Sequence, residues 1–91
     1  MIFILHCRVK PQQNARLPLF RERHRAHVQS SGIKLLGAGP TLSDDGQEII
    51  GGLYVFEADN RAAAELFYES DPYVREGLWE KTLLENYDKR L

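Results

Sequence analysis

An apolar run near the start of the chain decides the fold: Ile2-Phe3-Ile4-Leu5-His6-Cys7-Arg8-Val9. β-Branched and large apolar residues dominate this run, which predicts a first β-strand over residues 2–9. Ile2 and Ile4 point to one face of such a strand, because successive side chains alternate. Phe3 and Leu5 point to the other face, so both faces of the strand need cover.

Helical and extended patterns alternate along the rest of the chain. Apolar residues recur at three- and four-residue steps after Pro18, which predicts a helix that Gly32 stops. A second helix follows Asp59, a residue favoured as an N-cap. The predicted elements are strand 2–9, helix 17–31, strand 33–38 broken at Gly39-Pro40, strand 49–58, helix 60–70, a capped turn or short helix 71–77, and strand 78–84.

This βαββαβ order is the ferredoxin-like plan, an α+β fold with a four-stranded antiparallel sheet and both helices on one face. The strands carry apolar residues toward the other face as well, and no element is left to cover it. We therefore predict a homodimer with the two sheets packed face to face. The 91 residues contain no repeat or linker, so a single domain over residues 1–91 is expected.

Composition excludes several classes of protein. Twelve Lys and Arg residues oppose thirteen Asp and Glu residues, so no basic excess exists for binding nucleic acid. No segment approaches the roughly 20 apolar residues that cross a membrane. A single cysteine, Cys7, cannot form an internal disulfide, and a cytoplasmic location is expected.

Neither a cofactor nor a metal ion is expected. The glycine-containing segment 37–40 ends in a proline where a phosphate-binding helix would have to donate backbone amides. The histidines, His6, His24 and His27, lack the spacing of a metal site, and no cysteine cluster accompanies them. The expected partner besides a second copy of the chain is a small-molecule ligand.

His24 and Asp71 are the candidate catalytic residues. His24 falls on the apolar stripe of the first predicted helix and so faces the interior, while Asp71 follows the second helix. An Asp bonded to one imidazole nitrogen fixes the tautomer and stabilises the imidazolium, which makes the other nitrogen a competent base. The residues leave a plainer interpretation open, in which His24 is a core residue and Asp71 only caps the turn before Pro72.

Four further residues are candidates for substrate binding: Arg21, Gly39, Pro40 and Tyr73. The arginine lies one helical turn before the histidine and could hold an anionic substrate group, or pair with Asp71 or Glu22. The Gly-Pro pair could bring backbone close to a ligand or simply end a strand. The tyrosine offers a phenol at the turn that carries Asp71, or packs against other aromatic residues.

Several motifs occur in one order along nearly the whole chain: Arg21-Glu22-Arg23-His24, Gly32, Leu35-Leu36-Gly37-Ala38-Gly39-Pro40, Asp44-Asp45-Gly46, Glu57-Ala58, Asp71-Pro72-Tyr73-Val74 and Gly77-Leu78. In order and spacing they resemble the YCII-related domain family, the YciI-like proteins. The resemblance implies a dimeric α+β barrel, and it implies that His24 and Asp71 match the family's proposed catalytic dyad. One member is a dehydrochlorinase acting on a chlorinated hydroxyhydroquinone, in which such a dyad serves proton abstraction.

The chain has one residue more than the family pattern between Gly32 and Gly39-Pro40, which could bulge a strand that lines the pocket. The expected function is that of a small cytosolic enzyme of the lyase or isomerase kind, acting on a compact cyclic or phenolic molecule. His24 would be the general acid/base, Asp71 its orienting partner, and Arg21 a contact for substrate charge. The alternative is a non-catalytic dimer that binds a small ligand or serves as an accessory domain.

Overall fold

The structure is a computed structural model that describes residues 1–91. Its four strands form one sheet, and each neighbouring pair of strands is antiparallel. The elements are β1 (Ile2–Val9), a short 3-10 helix (Asn14–Arg16), α1 (Leu17–Ser30), β2 (Lys34–Leu42), β3 (Ile49–Glu57), α2 (Arg61–Glu69), α3 (Pro72–Arg75) and β4 (Trp79–Asn86). The strand order is β2-β3-β1-β4, which is the ferredoxin-like arrangement, so the predicted fold class is confirmed.

The core lies between the helices and one face of the sheet. Alternate residues of β1 are buried there, including Phe3 and Leu5, as the alternation of the sequence predicts. The helices and β3 supply most of the remaining core: Leu17, Val28, Tyr54, Phe56, Ala64 and Phe67. On the opposite face Ile2 and Ile4 are half-buried and Leu53 is 38% exposed, so this face is apolar and uncovered in the single chain.

Strand β2 continues through Pro40 to Leu42, whereas the sequence predicted a break at residues 39–40. The prediction of a break is wrong, because β2 is an edge strand and tolerates a proline. An edge strand leaves every second backbone N–H without a neighbouring strand, so a proline that lacks this N–H does not interrupt the ladder. Gly39 and Pro40 therefore lie within the strand and not in a turn.

Strand β2 also contains a bulge. Leu35 pairs with Phe56 and Gly37 pairs with Val55, so Leu36 has no opposite residue on β3. The sequence analysis expected a bulge in the segment between Gly32 and Gly39-Pro40, and this bulge lies in that segment.

Helix α2 begins at a different cap from the predicted one. Asn60, not Asp59, is the N-cap, and its side-chain oxygen accepts a hydrogen bond from Ala63 N at 2.8 Å. Phe67 is buried on this helix, whereas Leu66 is 63% exposed. None of the helices is both long enough and apolar enough to cross a membrane.

Candidate functional site

The side chains of His24 and Asp71 are in direct contact. His24 lies in the middle of α1, and its Nδ1 is 2.8 Å from Oδ1 and 2.9 Å from Oδ2 of Asp71. Asp71 is the N-cap of α3 and only 5% exposed, and its Oδ1 also accepts a hydrogen bond from Tyr73 N at 2.9 Å. The predicted pair is therefore brought together, and the capping role that the sequence offered as an alternative is present at the same time.

The carboxylate determines which nitrogen of His24 carries the proton. A carboxylate can only accept hydrogen bonds, so Nδ1 is the protonated nitrogen in neutral His24. The lone pair then lies on Nε2, which is 3.1 Å from the hydroxyl of Tyr54 on β3. Tyr54 donates to Nε2, which gives a hydrogen-bonded series running from Tyr54 through His24 to Asp71.

Tyr54, which bonds directly to His24, is one of the site residues that the sequence analysis missed. The alternation of β3 placed it toward the helices with Phe56, but nothing local indicated what its hydroxyl would bond. A buried tyrosine usually finds a partner for its hydroxyl, and that signal was available. Burial and the nearby charge of Asp71 raise the pKa of Tyr54 well above its ordinary value, so its hydroxyl stays protonated and acts as a donor.

Aromatic rings hold the imidazole of His24 in place. The ring of Tyr73 stacks on it, with centroids 4.1 Å apart and planes within 9°. The edge of the Trp79 indole meets it at 5.2 Å and 89°. Trp79 can lie this close to the sheet because Gly52 has no side chain, and a Cβ there would come within 2.8 Å of the indole Cη2.

A cavity of about 420 Å³ opens beside these rings, between α1, β2 and β3. Its size suits a ligand with a single ring. His24 and all four predicted binding residues, Arg21, Gly39, Pro40 and Tyr73, line this cavity. Its lining also includes three residues that the sequence analysis did not select: Arg25, Tyr54 and Trp79. Asp71 is not among the lining residues, since it lies behind His24.

Arg21 forms no ion pair with Asp71 or Glu22, the two alternatives to a ligand contact. It lies close to the hydroxyl of Tyr73, which donates to the backbone oxygen of Leu17 at 3.3 Å. Burial raises the pKa of Tyr73, and the positive charge of Arg21 opposes that rise. The Arg21 guanidinium therefore lines the cavity without a carboxylate partner.

The other titratable candidates lie elsewhere. His27 Nε2 contacts the backbone oxygen of Phe67 at 2.8 Å, and His6 Nδ1 contacts Thr82 Oγ1 at 2.6 Å. No group of three or more His, Cys, Asp or Glu side chains is placed to hold a metal ion. Burial raises the pKa of Cys7 to about 12, so its thiol is a poor nucleophile near neutral pH.

Comparison with known proteins identifies the family and the fold. The family model of the YCII-related domain matches residues 1–87. The structure is similar to that of 5-chloro-2-hydroxyhydroquinone dehydrochlorinase from Burkholderia phenoliruptrix AC1100 in complex with 2,5-dihydroxybenzoquinone, with a TM-score of 0.86 and 24% identity over 97% of this chain and 94% of that chain. It is also similar to an antibiotic biosynthesis monooxygenase, with a TM-score of 0.57 and 16% identity over 98% of this chain and 100% of that chain. No curated protein matches the sequence.

Proposed function

The chain belongs to the YCII-related domain family, and from this premise we propose that it is a small cytoplasmic enzyme that acts on a compact cyclic or phenolic molecule. His24 is the general acid/base and Asp71 orients it, in a reaction of the lyase or isomerase type. One observation carries the proposal: the Nδ1 of His24 is bonded to a buried carboxylate while its ring lines an open cavity.

The reaction begins with a proton transfer to His24. With Nδ1 protonated and bonded to Asp71, the lone pair on Nε2 takes a proton from a C–H or O–H group of the substrate. The electron pair of the broken bond remains on the substrate, where it expels a leaving group such as chloride, or shifts a double bond before the proton is returned at another carbon. The Asp71 carboxylate stabilises the imidazolium that forms between these steps.

Tyr54 and the aromatic walls complete the proposed site. A substrate hydroxyl that bonds to Nε2 takes the place of the Tyr54 hydroxyl, which then donates to a substrate oxygen and stabilises negative charge on it. Tyr73 and Trp79 offer flat apolar surfaces for a ring. The dehydrochlorinase of similar fold, whose structure is a complex with 2,5-dihydroxybenzoquinone, supports an aromatic or quinonoid ring as the substrate class.

The proposed assembly is a homodimer joined through the face of the sheet that the helices leave uncovered. Ile4 on this face is half-buried and Leu53 is 38% exposed in the single chain. We expect sedimentation equilibrium at micromolar concentration to give the mass of a dimer, with an interface above roughly 1,200 Å² in total. A stable monomer under these conditions would contradict the face-to-face arrangement.

The enzyme proposal is tested by assaying the protein and two histidine variants on a panel of small phenols. The panel includes 5-chloro-2-hydroxyhydroquinone, for which chloride release is measured. His24→Ala should lower turnover by about 10²–10⁴-fold, as the loss of a general base does, while a ligand of the cavity still binds. His27→Ala is the matched control, since this histidine lies on the same helix but outside the cavity lining, and it should leave turnover unchanged.

Two outcomes would contradict the enzyme proposal. Equal turnover in the protein and in His24→Ala would remove His24 from the chemistry. Binding of the panel compounds without any turnover, together with strong destabilisation of His24→Ala, would instead support the non-catalytic ligand-binding domain.

A further inference from the structure

Charge in the cavity lining is of one sign. Arg21 and Arg25 are the Lys or Arg residues that line the cavity, and no Asp or Glu residue lines it. Four residues apart on α1, the two arginines share one face of the helix, with His24 between them in the sequence. Positive charge therefore flanks the proposed base within the cavity lining.

Neither arginine is neutralised by a partner within the chain. The ion pairs of the structure involve other residues: His24 with Asp71, Lys34 with Glu57, Arg61 with Glu65, and Arg90 with Asp88. Asp71, the carboxylate bonded to His24, already accepts hydrogen bonds from His24 and from Tyr73 N. Like charges four residues apart on a helix repel each other, so the two unpaired arginines slightly destabilise the protein without ligand. An anionic ligand bound to both would remove this repulsion.

The hydrogen-bond donors of the cavity lining indicate which kind of anion would bind there. Eight of the 14 lining residues are of hydrophobic type, and the two guanidinium groups are the donors in the lining that carry a permanent positive charge. Gln29, Tyr54 and Trp79 add neutral donors. A carboxylate has about four lone-pair sites and pairs with planar guanidinium groups in a bidentate manner. Two arginine forks can satisfy one carboxylate, so the neutral donors of the lining remain for polar groups on the ring.

We propose, as an extension of the proposed function, that Arg21 and Arg25 form a carboxylate-binding subsite, so that the preferred substrate is a ring bearing a carboxylate group. The guanidinium groups hold the carboxylate at the α1 side of the cavity. The ring then lies among Tyr54, Tyr73 and Trp79, within reach of Nε2 of His24. The two arginines determine specificity, and the proton transfer remains with His24.

Benzoate and benzamide provide a matched pair of probes, since they share a ring and nearly the same shape but differ in charge. Trp79 is the single tryptophan of the chain and lines the cavity, so its fluorescence reports binding there and not elsewhere on the surface. We expect benzoate to bind about 10-fold or more tightly than benzamide, which corresponds to about one charge-assisted hydrogen bond. Added salt should weaken the binding of benzoate and leave that of benzamide unchanged.

Variants of single arginines test which side chains cause the preference for benzoate over benzamide. Arg21→Gln and Arg25→Gln should each reduce the preference for benzoate by about 5-fold or more and leave benzamide binding unchanged. Arg23→Gln is the matched control, because it removes the same charge from the same helix, but Arg23 lies over the ring of Phe20, 4.6 Å from its centroid, and outside the cavity lining. It should retain the preference.

The proposal is overturned if benzoate and benzamide bind equally, or if Arg23→Gln loses as much of the preference as Arg25→Gln does. These are binding measurements, so they separate the subsite from the enzyme proposal. Turnover of neutral phenols without a preference for carboxylates would refute the subsite and leave the enzyme proposal standing. A preference lost in Arg21→Gln and Arg25→Gln alone supports the subsite, even where no panel compound is turned over.

Discussion

Substituting Asn for Asp71 is expected to reverse the tautomer of His24 while preserving the fold. Oδ1 of Asp71 serves both Tyr73 N and His24 Nδ1, whereas Oδ2 contacts only His24 Nδ1, at 2.9 Å. The backbone N–H of Tyr73 requires an acceptor, so the asparagine oxygen stays there and the NH₂ group takes the place of Oδ2. An NH₂ donor facing Nδ1 moves the imidazole proton to Nε2, which then has no lone pair for a substrate proton.

The expected changes in stability separate Asp71→Asn from Asp71→Ala. Asn caps a helix as well as Asp does and keeps one hydrogen bond to His24, so the free energy of unfolding should fall by only about 0.5–1.5 kcal/mol. Ala removes the cap, at a cost of about 1 kcal/mol. It also leaves Nδ1–H of a largely buried imidazole without a partner, at a further cost of about 1–3 kcal/mol. Asp71→Ala should therefore lose roughly 2–4 kcal/mol in total.

Three measurements test this reasoning. Urea unfolding gives the two free energies, NMR of the ring nitrogens identifies the tautomer of His24, and turnover of a substrate found in the panel gives the catalytic effect. Asp71→Asn should lower turnover by about 10²–10⁴-fold, because the base is lost although the protein is folded. If Asp71→Asn kept the Nδ1–H tautomer and full turnover, or destabilised the protein as much as Asp71→Ala, the argument would be refuted.

Further substitutions test the hydroxyl, the packing and the thiol around the site. Tyr54→Phe removes the donor to Nε2, so the free energy of unfolding measured with urea should fall by about 0.5–1.5 kcal/mol. Turnover should fall roughly 10²-fold. Unchanged turnover would exclude this hydroxyl from the reaction. Gly52→Ala would place a Cβ 2.8 Å from the indole of Trp79, so the free energy of unfolding should fall by about 1–3 kcal/mol and the tryptophan emission should shift. Gly39→Ala is the control and should be tolerated, because nothing lies within 4 Å of a Cβ at this position. Since burial raises the pKa of Cys7 from 9.0 to about 12, its contribution to stability should be intact below pH 9 and decline as the pH rises toward 12. Urea unfolding across this range should show a smaller decline in Cys7→Ala, and parallel curves would contradict the assignment.

Local patterns in the sequence were sufficient for the elements and for much of the core. The alternation in residues 2–9 placed Phe3 and Leu5 toward the helices, because a strand has a period of two whatever it packs against. The helical period put His24 on the inner face of α1, and Asp71 before a proline predicted a cap. The motif order identified the family, which the match over residues 1–87 confirms.

Only the tertiary structure decided how these residues meet. Contact between His24 and Asp71 joins positions 47 residues apart, and the bond from Tyr54 to Nε2 depends on the height of α1 above β3. The sequence could not show that Pro40 lies in an edge strand, since that follows from the order of the strands. Backbone periodicity and capping depend on neighbours a few residues away and can be read locally. Hydrogen bonds between distant side chains depend on how separate elements pack, and a linear pattern does not contain that information.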